Sequence, residues 1–150
     1  MAQTTTALPM TNAKLEFSAD GSSWTDISGS SNSLEPPDQS GAAGEAYTFA
    51  GNTAVVTAGK TEPVEITCKI MYTPTSGEAF AVVRAQYQTA GRAGYLRWSP
   101  QGGTTGNKQY TTAAGVLTGF TWPGGAADDA KPIPAGFKLK VPSITESTVA

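Results

Sequence analysis

Histidine is absent from the chain. That removes Ser-His-Asp triads, Cys-His dyads and His-ligated metal sites from within it. A single cysteine excludes an internal disulfide and every CxxC motif. No apolar run approaches the ~20 residues of a membrane span. The first fourteen residues have neither the basic start nor the apolar stretch of a secretory signal. Charge is scarce as well: 15% of residues are charged, against roughly 25% in an average domain. The formal net charge is −2 with no Lys/Arg cluster, which argues against tight electrostatic binding of nucleic acid. What the 150 residues do hold is much Gly (17), Pro (10) and Thr. Such a chain is expected to be one domain, mostly β, with many turns.

Residues 1–11 (MAQTTTALPMT) are polar and aperiodic, an arm or a frayed terminus. Leu15, Phe17 and Ala19 alternate with Glu16 and Ser18, as in a half-buried strand. Asp20-Gly21 then predicts a two-residue hairpin turn. That turn would set Ala19 opposite Ser22, Phe17 opposite Trp24, and Lys14 opposite Ile27. Because Ile27 would then lie on the other face, the strand pair carries a bulge or is covered on both faces. Residues 28–46 (SGSSNSLEPPDQSGAAGEA) read as a long irregular loop, a length at which loops are usually functional or disordered. Tyr47 and Phe49 alternate before a Gly51-Asn52 turn and a short return strand at 54–56.

The clearest strand follows. Val64, Ile66, Cys68, Ile70 and Tyr72 share one face, with Glu65, Thr67, Lys69 and Met71 on the other. Cys68 is expected to be a buried structural thiol. One helix is expected within 76–90, with Phe80, Val83 and Tyr87 inward, a capping box from Thr75 to Glu78, and Gly91 past its end. Further strands are expected at 95–98, 108–112, 116–122 and 137–141. A polar tail, 143–150, completes the chain. The core candidates are Phe17, Val64, Ile66, Cys68, Ile70, Phe80, Val83, Tyr87 and Trp98.

Nothing here composes a catalytic motif. Asp128-Asp129 is the one adjacent carboxylate pair, but only Ala residues precede it, and a solvated turn is the plainer reading. The loop from Gly102 to Lys108 lacks the G-x-x-x-x-G-K-[ST] spacing of a phosphate loop. Arg97 and Trp98 could stack on a base or sugar, or belong to the core. No enzyme activity, cofactor or metal is expected.

The order of features has a counterpart. A Leu-x-Phe-Ser-x-Asp-Gly-Ser-Ser-Trp hairpin (15–24) precedes a long loop. Gly-Lys-x-x-x-Pro-Val-x-Ile-x-Cys-x-Ile-x-Tyr-Thr (59–73) then runs toward the helix. Leu-Arg-Trp-Ser-Pro-x-Gly-Gly (96–103) and a Gly-Val-Leu-Thr strand ending at Pro123 follow. Over residues 12–142 this resembles the major tail tube proteins of long-tailed, non-contractile bacteriophages. The resemblance implies a β-sandwich or half-barrel with a flanking helix that joins its neighbours in a ring-shaped β-barrel. Six copies would form a ring, and stacked rings the tube through which viral DNA leaves, without sequence-specific binding. It implies other tail proteins as partners (tape measure, terminator, baseplate or tip), assembly in the host cytoplasm and a place in the virion tail. It also implies the bare tube module, without the immunoglobulin-like domain some members carry. The arm 1–11, with Leu8 and Met10, and the loop 28–46, with Leu34, Glu35, Pro36, Pro37 and Asp38, would make ring-to-ring contacts. Two other readings stand beside it: a single-ring terminator or needle part, and a carbohydrate- or receptor-binding sandwich using Trp24, Trp98 and Trp122 as platforms.

Overall fold

The computed structural model describes residues 2–150. Met1, the first residue of the expected arm, lies outside them. In chain order the elements are β1 (Lys14–Ser18), β2 (Thr25–Asp26), β3 (Ser31–Glu35), β4 (Gly41–Ala46), β5 (Val55–Thr61), β6 (Val64–Met71), α1 (Ala79–Tyr87), β7 (Ala93–Ser99), β8 (Lys108–Thr112), β9 (Gly115–Thr121), β10 (Pro134–Val141) and β11 (Ile144–Thr148). Nine strands form one curled antiparallel sheet, in the order β11-β8-β7-β9-β10-β6-β3, with β1 pairing β7 and β2 pairing β1. The mainly β expectation with one helix is borne out, and the sheet is open rather than closed into a barrel.

The sheet folds over at β7. Residues 95–99 of β7 pair with β1, Arg97 and Trp98 also face β8, and Ala93 and Gly94 pair with β9. At the fold two glycines, Gly94 and Gly115, stand opposite each other. A Cβ on Gly115 would lie 2.6 Å from Val141 Cγ1 and 2.7 Å from the Lys140 carbonyl oxygen. Close approach of backbones, rather than turn geometry, therefore requires glycine here. Gly115→Ala is expected to cost about 1–3 kcal/mol, a fall in Tm of about 3–10 °C by differential scanning calorimetry. An unchanged Tm would show that β9 and β10 can part at this point without loss.

The strict alternation of β6 buries Val64, Ile66, Cys68 and Ile70 against the other half of the sheet. Phe17 meets Phe137 edge-to-face at 5.9 Å, joining β1 to β10 across the core. Trp98 is buried and stacks on Tyr110 at 5.7 Å. Helix α1 closes one end with Ala79, Phe80 and Val83 buried, while Tyr87 is half-buried and stacks on Phe120 at 5.6 Å. Thr75 does not cap α1. The helix begins later, at Ala79, whose N–H donates to the buried Ser30 hydroxyl at 3.3 Å, while the Thr73 hydroxyl donates to the Glu78 carboxylate. An N–H left free by the helix start is thus satisfied by a distant residue, which no local pattern announces. The helix ends at Tyr87, inside the expected 76–90, and Gly91 adopts φ +82° beyond it.

Three further expectations are corrected. The first hairpin pairs Phe17 with Thr25 and Glu16 with Asp26, so the two-residue turn does not form. The Asp20 carboxylate accepts the N–H groups of Ser22 and Ser23, each at 2.8 Å, and the loop widens around it. Residues 28–46 are not an irregular loop. A short 3₁₀ turn at Ser28–Ser30 leads into β3, which pairs β6, and β4 then pairs β5. Residues 143–150 are not a loose tail either, since β11 pairs along the whole of β8.

Candidate assembly surfaces

Strands β3 and β4 together run antiparallel to β5 and β6, making a two-stranded ribbon that leaves the sheet edge. Proline interrupts it on both strands. Pro36-Pro37 separates β3 from β4, and Pro63 separates β5 from β6. These residues have no N–H for the ladder. Beyond them the ladder resumes: the Glu62 N–H donates to the Ser40 carbonyl at 2.8 Å, and pairing runs to Ala46 opposite Val55.

Every residue of β4 and β5 is exposed, on both faces. The return strand starts at Val55 and runs to Thr61, longer than the sequence suggested, while Tyr47 and Phe49 lie in the tip rather than in a strand. At that tip Tyr47 is 74% and Phe49 fully exposed, with Val55 and Val56 also open to solvent. A lone two-stranded hairpin is marginal in water. Four large apolar side chains exposed on one tip are a patch of the kind found at interaction surfaces.

The segment preceding β1 is exposed from Ala2 to Asn12, with Leu8 at 65% and Met10 at 46%. Met10 reaches a groove of about 530 Å³ shared with Leu15, Ser28, Ser31, Asn32 and Leu34. Leu34 packs partly on the core, so it helps hold β3 to the sheet. Glu35 pairs with Lys69 across β3 and β6 at 3.0 Å. Hydrogen bonds from Lys69 and Ser33 hold its carboxyl below the ordinary range. Pro36, Pro37 and Asp38 are exposed in the break between β3 and β4. The structure thus brings Met10 and Leu34 together, leaves Leu8 apart on the loop side with Pro100 and Asn107, and gives 35–38 to the base of the ribbon.

A second aromatic surface lies beside α1 and was not singled out from the sequence. Phe80, Phe120 and Trp122 form a cluster with centroids 5.2–6.4 Å apart. Trp122 ends it 56% exposed. The guanidinium of Arg84 sits over Phe80 at 5.6 Å and that of Arg92 over Tyr87 at 5.1 Å. The residues are far apart in sequence, and only the run of aromatics at 120–122 hinted at them.

Of the three tryptophans, Trp98 is core and Trp24 lies under the Arg97 guanidinium at 4.2 Å. They do not form an open stacking platform with Trp122, which removes the feature on which a sugar-binding reading rested. Arg97 also donates from Nε to Glu16 at 2.7 Å, and Lys14 pairs with the same carboxylate at 2.9 Å. Burial alone would raise the Glu16 pKa, but these hydrogen bonds outweigh it and the net shift is downward. The Cys68 thiol is fully buried, and desolvation pushes it up to about 12, where it is inert. Asp129 accepts the Lys131 N–H at 3.0 Å in an exposed turn. Among the described residues no group of three metal-ligating side chains comes together, and no helix is long and apolar enough to cross a membrane.

A chain from the sheath–tube complex of an extracellular contractile injection system (PVC) in its extended state superposes with a TM-score of 0.75 at 15% identity, covering 97% of this chain and 94% of that one. The fold is of the tail-tube type. The anti-feeding prophage cap, described as a tube-terminating cap, gives 0.70 at 14% identity, with 99% and 95% covered. The tail of an empty GTA particle, refined with C6 symmetry, gives 0.62 at 8% identity, with 91% and 95% covered. No family model matches the sequence, and no curated protein matches it. The likeness is therefore one of fold. It reaches a contractile system and is not particular to the non-contractile tails that the sequence resembled.

Proposed function

We propose that this chain is the tube subunit of a phage tail or tail-like particle, the non-contractile tail of the sequence resemblance being one member of that class. Its work is to associate with copies of itself, six to a ring, with rings stacked into a hollow conduit. The observation that carries this reading is the β4–β5 hairpin. It has no buried residue and ends in an exposed apolar tip, on a fold shared with chains of tube complexes. A ring would also cover the open edges of the sheet, which a lone chain leaves as aggregation sites. The low charge suits a conduit for DNA, because a strongly basic lumen would hold phosphates by counterion release. Catalysis has no place in this role.

Negative-stain electron microscopy of the purified, concentrated chain tests it, beside light scattering of a dilute sample. Long hollow tubes with a regular axial repeat are expected. Discrete rings that never stack would overturn the tube in favour of a terminator, the role named for the similar anti-feeding prophage cap. A chain that stays monomeric when concentrated would overturn self-assembly.

A further inference from the structure

The hairpin tip and the aromatic surface beside α1 are both unpartnered, and their chemistry matches. We infer that the tip of one copy seats in the groove beside α1 of a second copy. This rests on the self-assembly proposed above and names the two surfaces that meet.

The groove measures about 590 Å³ and is lined by Tyr87, Gln88, Thr89, Gly91, Arg92 and Trp122. It is aromatic and cationic. Neither Arg84 nor Arg92 has a carboxylate within ion-pair distance among the described residues, the four ion pairs there lying elsewhere. The tip supplies the complement. Tyr47, Phe49, Val55 and Val56 are its apolar side chains. Glu45, exposed and without an ion pair among the described residues, stands two residues before Tyr47. Its carboxylate would meet the Arg92 guanidinium as the tip aromatics meet Trp122, an aromatic–Arg pairing typical of interface centres.

The second copy is the occupant for a geometric reason. Full exposure of Phe49 and half exposure of Trp122 show that the tip does not fold back on its own groove. The other groove, near Met10, is lined largely by Ser28, Ser31, Asn32 and Ser33 and offers Glu45 no cation. Tip and groove are different surfaces, so the contact is heterologous. Repeated from copy to copy, it makes a closed ring or an open helix rather than a dimer.

Cysteine cross-linking tests this without touching the anchors. The one native thiol, Cys68, is buried and inert. Thr48→Cys is placed beside the tip and Gln88→Cys on the groove rim, both at exposed positions. The double variant is concentrated, oxidised and run on a non-reducing gel, with the same sample viewed by electron microscopy. A ladder of trimers and higher species is expected, with at most dimers from either single variant. Tubes without a ladder overturn the seating and leave the tube reading standing. Dimers alone from the double variant also overturn it, because they report a symmetric contact. Neither tubes nor cross-links, from a wild-type chain that stays monomeric, overturn both.

Discussion

Replacing residues 41–61 by an Asn-Gly turn between Ser40 and Glu62 is expected to leave a folded monomer that builds no tubes. The Glu62 N–H already donates to the Ser40 carbonyl at 2.8 Å, so a two-residue turn can close the ribbon at that level. The excised hairpin buries nothing in the monomer, so its loss removes almost no apolar area from the core. The Tm should move by no more than about 4 °C, the shift that about 1 kcal/mol makes in a domain of this size. Assembly, by contrast, loses a whole contact surface and should be abolished in micrographs at any attainable concentration. Tubes of normal length from the shortened chain would show that the hairpin is dispensable. Cutting at 31–43, as an irregular loop would have invited, is a different experiment. It removes β3, uncovers the edge of β6 and strips Leu34 from the core, so loss of tubes there would report unfolding.

Glu16→Ala should be the most costly single change on the polar face of β1, at about 3 kcal/mol. The urea midpoint should then fall by about 1–2 M. The side chain of Glu16 is only 9% exposed and holds two cations, Arg97 at 2.7 Å and Lys14 at 2.9 Å. Removing it leaves both without their counter-charge, with the Arg97 guanidinium still held over Trp24. The figure is at the low end for a broken buried pair because Lys14 and Arg97 keep some access to water. The pH dependence has a definite sign. The folded carboxyl titrates below its ordinary value of 4.5. Its stabilisation is therefore complete above that value and is lost as pH falls through the lowered folded value. Glu16→Gln should flatten this part of the acid limb in urea titrations at successive pH values. Identical acid limbs for wild type and Gln would mean that the carboxylate's charge adds nothing.

The sequence revealed those elements whose two faces differ. In β6, apolar and polar residues alternate because one face meets the core and the other meets water, and the period-2 signal follows directly. The Phe80–Val83–Tyr87 stripe of α1 was visible for the same reason. The β4–β5 hairpin (GAAGEA and VVTAGKT) has water on both faces, so no side matters to packing and no alternation is selected. Its strands exist through backbone pairing alone. Strand β11 (ITEST) hid in the same way, as a mostly exposed edge held by β8. The misplaced register at Asp20 has another cause. Its carboxylate satisfies two backbone N–H groups and makes a wider loop better than the tight turn that Asp-Gly usually signals. The segments proposed to touch neighbours, arm 1–11 and residues 34–38, came from family resemblance. The groove beside α1 was hidden because Trp122 meets the contiguous segment 87–92 only after folding.

The proline collar at the root of the hairpin has a mechanical consequence. The stretch between the Glu35–Thr67 pair and the Ser40–Glu62 hydrogen bond holds Pro36-Pro37 on one strand and Pro63 on the other, so the hairpin is joined to the body by two covalent chains and few cross-braces. Such a joint carries tension along the strands, where covalent bonds bear the load, but offers little resistance to tilting. In a filament held through these arms, stretching would be stiff and flexure soft, so a long, slender particle could sway under shear while each subunit keeps its grip.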